Sequence, residues 1–118
     1  MKLRLSQPTW LIDIGRLPLA DIDADAGGVT IGALSTHAAV AVATEIGSRW
    51  QVFSEAAVSI GDPIVRNHGT VGGNLAHADP ASDLPAALLA LNGELVVSGP
   101  DGSSRIPADS YFQGLFTT

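Results

Sequence analysis

Apolar and polar positions change period along the chain, and each block predicts an element. Thr9 to Ile14 (Thr-Trp-Leu-Ile-Asp-Ile), rich in β-favouring residues and closed by Gly15 and Pro18, reads as a strand. Ala20 to Ile31 alternates apolar and acidic residues, turns at Gly27-Gly28 and returns as Val29-Thr30-Ile31. That is a hairpin pattern, with glycine expected to supply positive φ at the turn. Ser35 and Thr36 are suited to cap a helix over His37 to Ile46, although Ala38 leaves the capping box incomplete. Between Arg49 and Ile60, helical spacing of Trp50, Phe53, Ala57 and Ile60 predicts a buried stripe. Ile60 to Asp83 reads as a long connection of low regularity. A third helix is expected from Ser82 to Leu91, with Leu84, Leu88 and Leu91 on one face, Pro85 tolerated in the first turn and Gly93 ending it. Glu94 to Ser98 and Ser103 to Pro107, joined by Gly99-Pro100-Asp101-Gly102, form a second hairpin, and Tyr111 to Thr118 reads as the start of an element. There is no internal repeat. Strands and helices do not alternate as a doubly wound sheet requires, so the expected class is α+β.

Composition narrows the functions. At 118 residues and 46% hydrophobic, the chain suits one domain with a core that needs no covalent staple. The lack of cysteine removes thiolate catalysis, thiolate-bound zinc, disulfides and iron–sulfur ligation by this chain. A net charge of −6 with six Lys and Arg argues against a nucleic-acid partner. No run approaches the ~20 apolar residues of a membrane span, and the basic start breaks at Pro8 before an export-signal core could form. The expectation is a cytoplasmic protein. Asp21, Asp23 and Asp25 invite a calcium reading, but the calcium-loop spacing is absent and the solvated face of a strand is the plainer account.

Candidate chemistry gathers between Ile60 and Asp83. In Thr70-Val71-Gly72-Gly73-Asn74, adjacent glycines could let backbone amides converge on phosphate oxygens, with Thr70 and Asn74 adding neutral hydrogen bonds. An ordinary Gly-Gly turn is the competing reading, and the residues alone leave both open. Asp83, at the mouth of the third helix, suits either a ribose hydroxyl acceptor or a first-turn acid favoured by the helix dipole. Arg66 could meet a phosphate or Asp62, the surface pair being the simpler assignment. His68, His77 and Asp79 make a loose metal-ligand set without a further ligand at characteristic spacing, so no metal is expected. His37 is expected to face solvent. No serine lies in a nucleophile elbow and no carboxylate pair separates into acid and base, so no catalytic residue is named.

The run Ile60-Gly-Asp-Pro-Ile-Val-Arg-Asn-His-Gly-Thr-Val-Gly-Gly-Asn-Leu-Ala-His-Ala-Asp-Pro-Ala-Ser-Asp83 resembles the second flavin-binding motif of molybdenum hydroxylases. The resemblance is to the FAD-binding medium subunit of the carbon monoxide dehydrogenase and xanthine dehydrogenase type. It extends to Met1-Lys2-Leu3-Arg4 through Leu11-Ile12-Asp13-Ile14, and to Tyr111-Phe112-Gln113-Gly114. It implies part of a two-lobed FAD-binding domain, with FAD between the lobes. The flavin would pass electrons from a partner iron–sulfur subunit to an external acceptor, the molybdopterin centre belonging to another subunit. Carried over by position, Thr70, Val71, Gly72, Gly73 and Asn74 fall to the FAD pyrophosphate, Asp83 to the ribose and Ile60 to the flavin ring region. The family's earlier Ala-Gly-Gly-type loop would precede Met1, and its C-terminal domain would follow Thr118. Residues 1–118 are therefore expected to be a partial FAD-binding domain with an incomplete N-terminal lobe and a flavin loop at 60–83. The function class set against this is a folded, non-catalytic remnant or assembly surface that binds no flavin. Substrate (carbon monoxide, a purine, an aldehyde or an N-heterocycle) and acceptor (nicotinamide or quinone) stay open.

Overall fold

A computed structural model describes residues 7–118. The resemblance drawn on Met1-Lys2-Leu3-Arg4 lies outside the described residues. From Thr9 to Ile14 the chain follows no regular element, contrary to the strand expected there, and Trp10, Leu11 and Ile12 are at least 75% exposed. Strand propensity is realised only against a partner edge. Among the described residues no strand pairs with this run.

The first hairpin forms where expected. Strands β1 (Ile22–Ala24) and β2 (Val29–Ile31) pair antiparallel with Ile22 opposite Ile31. Its turn does not use positive-φ glycine. The Asp25 carboxylate instead accepts from the amides of Gly27 (2.7 Å) and Gly28 (2.9 Å), while the Asp25 amide donates to the Gly28 carbonyl.

Helices carry the core. Helix α1 (His37–Val42) is capped by Thr36, whose Oγ1 accepts from the Ala39 amide at 3.1 Å. It ends four residues before the expected Ile46, because Ala43 turns extended and lets Ile46 drop into the core, fully buried. Gly47, at φ 50°, redirects the chain through a short 3-10 turn into helix α2 (Gln51–Ser59). The predicted stripe is realised: Phe53 and Ala57 are buried, and Trp50 and Ile60 pack half-buried against the same cluster.

The connection after Ile60 is more ordered than expected. It contains helix α3 (Pro63–His68) and helix α4 (Val71–His77) before helix α5 (Asp83–Ala90). Asp62 caps α3 by accepting from the Ile64 amide at 2.7 Å, with Pro63 pre-set in the first turn. Val71 and Leu75 of α4 meet Leu84 and Ala87 of α5 in one cluster with Val40, Ile46, Phe53 and Ala57.

The second hairpin, β3 (Glu94–Gly99) and β4 (Gly102–Pro107), pairs in the register expected, with Leu95 opposite Ile106 and Glu94 opposite Pro107. Gly102, at φ 118°, closes its turn. Helix α6 (Ala108–Tyr111) follows, and the last residues form a single bridge between Gly114 and Thr117. The outcome is α+β: among the described residues, two separate two-stranded sheets flank a helical core.

Candidate functional site

The site is built on a seam between two backbone segments. Residues 33–37, leading into α1, run antiparallel to residues 69–72, leading into α4, with Thr36 opposite Thr70. The His37 amide donates to the Gly69 carbonyl (3.1 Å), the Val71 amide to the Ser35 carbonyl (2.9 Å) and the Gly72 amide to the Ala33 carbonyl (2.8 Å). The strands of this seam lie so close at Gly72 that a Cβ there would sit 2.6 Å from Ala33 Cβ and 2.8 Å from its carbonyl oxygen. Glycine is a packing requirement at that position.

Thr70 caps α4, its Oγ1 accepting from the Gly73 amide at 3.2 Å, and the Asn74 amide donates to the Thr70 carbonyl at 2.9 Å. Every amide from Val71 to Asn74 therefore has an acceptor within the chain. The expected cluster of free amides at Gly72-Gly73 does not exist, because the pair forms the first turn of a helix instead of a loop. Three features stay open to a ligand. The Thr70 hydroxyl accepts and keeps its hydrogen to donate. Gly73 is exposed and bears no side chain; a Cβ there would meet Thr70 Oγ1 at 2.9 Å. Asn74 Oδ1 accepts from Ser82 Oγ at 2.8 Å, which fixes the amide and leaves Nδ2 without a protein partner among the described residues.

The same bonds tie in the remaining candidates. Ser82, spent on Asn74, precedes Asp83 at the start of α5. Asp83 Oδ2 accepts from Ser59 Oγ at 2.8 Å. Ser59 is the last residue of α2, immediately before Ile60. The Ile60 carbonyl accepts from the Arg66 guanidinium, so Arg66 steadies the α2–α3 corner and does not pair with Asp62. Asn74, Asp83 and Ile60 are thus held in one string through Ser82 and Ser59. Neither serine stands out in the sequence: Ser59 lies off the Trp50, Phe53, Ala57 and Ile60 stripe, and Ser82 reads only as the first residue of the third helix. Of the other polar candidates, Asp79 accepts from the Ala81 amide and His77 packs on the Phe116 ring.

His37 is 3% exposed, not solvent-facing as expected, and its Nδ1 has no hydrogen-bond partner among the described residues. Burial holds its pKa below the ordinary 6.5. The ring is buried because Gly69, lacking a Cβ, lies directly against it.

Residues 1–118 match the family described as FAD binding domain in molybdopterin dehydrogenase. The chain belongs to that family. Its cofactor is FAD. Over the full chain it is 41% identical to the carbon monoxide dehydrogenase medium chain of Hydrogenophaga pseudoflava and 40% identical to the glyceraldehyde dehydrogenase medium chain of Sulfolobus acidocaldarius, spanning 42% of each. A solved structure of the Hydrogenophaga pseudoflava carbon monoxide dehydrogenase, lacking the Mo-pyranopterin moiety of its cofactor, superposes with a TM-score of 0.94 at 42% identity. That match covers all of this chain and 42% of the other. These relatives are dehydrogenase subunits, and the FAD-binding domain sits within chains more than twice this length.

The donors present suit a flavin dinucleotide. The diphosphate is anionic, and Thr70, Gly73 and Asn74 offer hydroxyl, side-chain-free surface and amide NH2 with no carboxylate among residues 69–77. Asp83 keeps Oδ1 available for a sugar hydroxyl, since only Oδ2 is engaged by Ser59. Among the described residues no helix is long and apolar enough to cross a membrane.

Proposed function

We propose that this chain is the flavin-holding part of a molybdenum hydroxylase medium subunit, which passes electrons from a partner's iron–sulfur clusters to an external acceptor. The observation that carries the reading is the start of α4, where exposed Gly73 lies between a capping hydroxyl and an amide whose Oδ1 is already committed. Thr70 Oγ and Asn74 Nδ2 donate to the diphosphate, and Gly73 lets it lie against the helix. Val71 and Gly72 act from below, anchoring that turn to Ser35 and Ala33. Asp83 Oδ1 accepts from a ribose hydroxyl, and Ile60 lines the ring region at the end of α2. Bound FAD supplies reversible one- and two-electron redox chemistry, and the protein's task is to hold and orient it. The relatives are named as medium chains, which supports further subunits beside this one; the family resemblance makes these an iron–sulfur subunit and a molybdopterin subunit. Substrate choice belongs to the molybdopterin subunit.

Titration of the chain with FAD, followed by flavin fluorescence and by absorbance in the flavin bands, tests the proposal. A protein that purifies colourless and takes up no added FAD would overturn it. Asn74→Asp is the sharper probe, because it keeps the Oδ1 acceptor for Ser82 while replacing the donor with negative charge. Loss of one hydrogen bond to a charged group, about 1.5–3 kcal/mol, weakens FAD about 10- to 150-fold. Unchanged affinity would remove Asn74 from the site.

A further inference from the structure

The flavin reading makes no use of His37, yet the imidazole of His37 lies against the backbone on which that reading depends. Its own amide donates to the Gly69 carbonyl, and a Cβ on Gly69 would fall 2.8 Å from ring atoms Cδ2 and Nε2. Three residues on, the same segment bonds to Ala33 and starts α4. We propose that His37 is a positioning residue for the flavin segment: uncharged, its ring braces Gly69 and keeps 33–37 paired with 69–72, and a proton gained on the ring opens that seam and releases FAD. The inference rests on the flavin-binding reading of Thr70–Asn74.

A neutral imidazole carries one N–H, whereas a protonated one carries two and a charge. Nδ1 is buried with no partner among the described residues, so protonation leaves a charged donor in an unsatisfied position. The charged groups on the helices packed against α1 make their hydrogen bonds to other partners and none to the ring. On α2, Glu55 accepts from Gln51 Nε2. On α3, Asp62 caps the helix and Arg66 holds the Ile60 carbonyl, while His68 is exposed and of the wrong sign when protonated. Helix α1 itself carries no other ionisable side chain. Gly69 lies against Cδ2 and Nε2 of the ring, so a charged ring that shifts there displaces Gly69. Burial lowers the His37 pKa, in the direction this bracing requires.

If FAD binds the closed seam, linkage sets the outcome. Affinity is level above pH 6.5 and falls toward a limiting tenfold per pH unit below the His37 pKa, a window in which FAD itself does not titrate. The test is fluorescence titration of the full chain with FAD from pH 8 to 5, with the imidazole and backbone amides followed by NMR. We expect that profile in the wild type and in His68→Gln, and a level affinity in His37→Asn. In the flavin-free chain, the His37 ring and the Gly69 and Val71 amides should titrate with one shared midpoint below 6.5. A level wild-type profile, or a slope that survives in His37→Asn, overturns the proposal. Should His37→Asn fail to fold, the ring and amide midpoints in the wild type decide: separate midpoints overturn the bracing. A chain that binds no FAD at pH 7.5 overturns the flavin reading, while the shared midpoint still upholds or overturns the bracing by itself.

Discussion

Gly72→Ala separates the two duties that adjacent glycines can have. The added Cβ lands 2.6 Å from Ala33 Cβ and 2.8 Å from the Ala33 carbonyl oxygen, which the Gly72 amide must approach to 2.8 Å to bond. Neither neighbour is the end of a flexible side chain. The seam must open, and two costs add: overpacking of about 1–3 kcal/mol and a weakened hydrogen bond of about 1 kcal/mol. The helix-forming advantage of Ala over Gly returns less than ~1 kcal/mol. The net loss is about 1–3 kcal/mol. With an unfolding entropy of about 2.1 cal/mol/K per residue over 118 residues, that lowers Tm by roughly 4–12 °C. Gly73→Ala is the control. Its Cβ meets only the Thr70 hydroxyl, at 2.9 Å, in an exposed position, so Tm should stay within about 3 °C while FAD affinity falls at least tenfold. Thermal melts by circular dichroism and FAD titration of both variants read the two effects separately. Equal Tm for Gly72→Ala and wild type would refute the close-approach argument, and equal FAD affinity for Gly73→Ala would refute the exposed cradle.

Leu84→Ala empties a fully buried site at the junction of α5 with the core and should cost about 2–5 kcal/mol in denaturant melts. Thr36→Ala removes the Oγ1 cap on Ala39 and should cost about 1 kcal/mol, whereas Thr36→Ser should retain most of it. Because burial holds the His37 pKa below its ordinary 6.5, the unfolded chain binds more protons at mildly acidic pH. That contribution to stability is fully present above pH 6.5 and is lost as pH falls toward the folded pKa. In His37→Asn, Tm measured from pH 7.5 to 5 should lose this component.

Legibility in the sequence followed the range of the forces involved. The two hairpins and the α2 and α5 stripes were readable because alternation, turn residues and 3.6-residue spacing are local. Phe53, Ala57 and Leu84 are buried where periodicity put them. The segment from Thr9 to Ile14 has the propensity of a strand and no edge to join among the described residues, so propensity alone misled. His37 failed for a related reason. What buries it is Gly69, 32 residues away in the chain, and the missing side chain that allows the contact leaves no positive signal.

The Gly-Gly pair was found by its sequence but misread in its physics. Gly72 and Gly73 looked alike as two permissive residues offering amides, yet the amide of each is bonded within the chain. Gly72 is needed because backbone lies where its side chain would be, whereas Gly73 is exposed and its bareness matters to the proposed cofactor contact. Thr70 marks the difference: a threonine three residues before a glycine at the head of a Val-Gly-Gly-Asn-Leu-Ala-His run is an N-cap pattern, and an N-cap commits the first amides of the turn. On the proposed flavin reading, donation to the diphosphate falls to the cap hydroxyl and to Asn74, whose Oδ1 is held by Ser82. This gives a consequence that a cluster of free amides would not. Ser82→Ala, which touches no ligand, should release the Asn74 amide and weaken FAD several-fold, while Asp83→Asn, which leaves Asn74 in place, should not disturb the diphosphate end. If Ser82→Ala binds FAD as the wild type does, Asn74 needs no orienting partner and the side-chain account of the site fails.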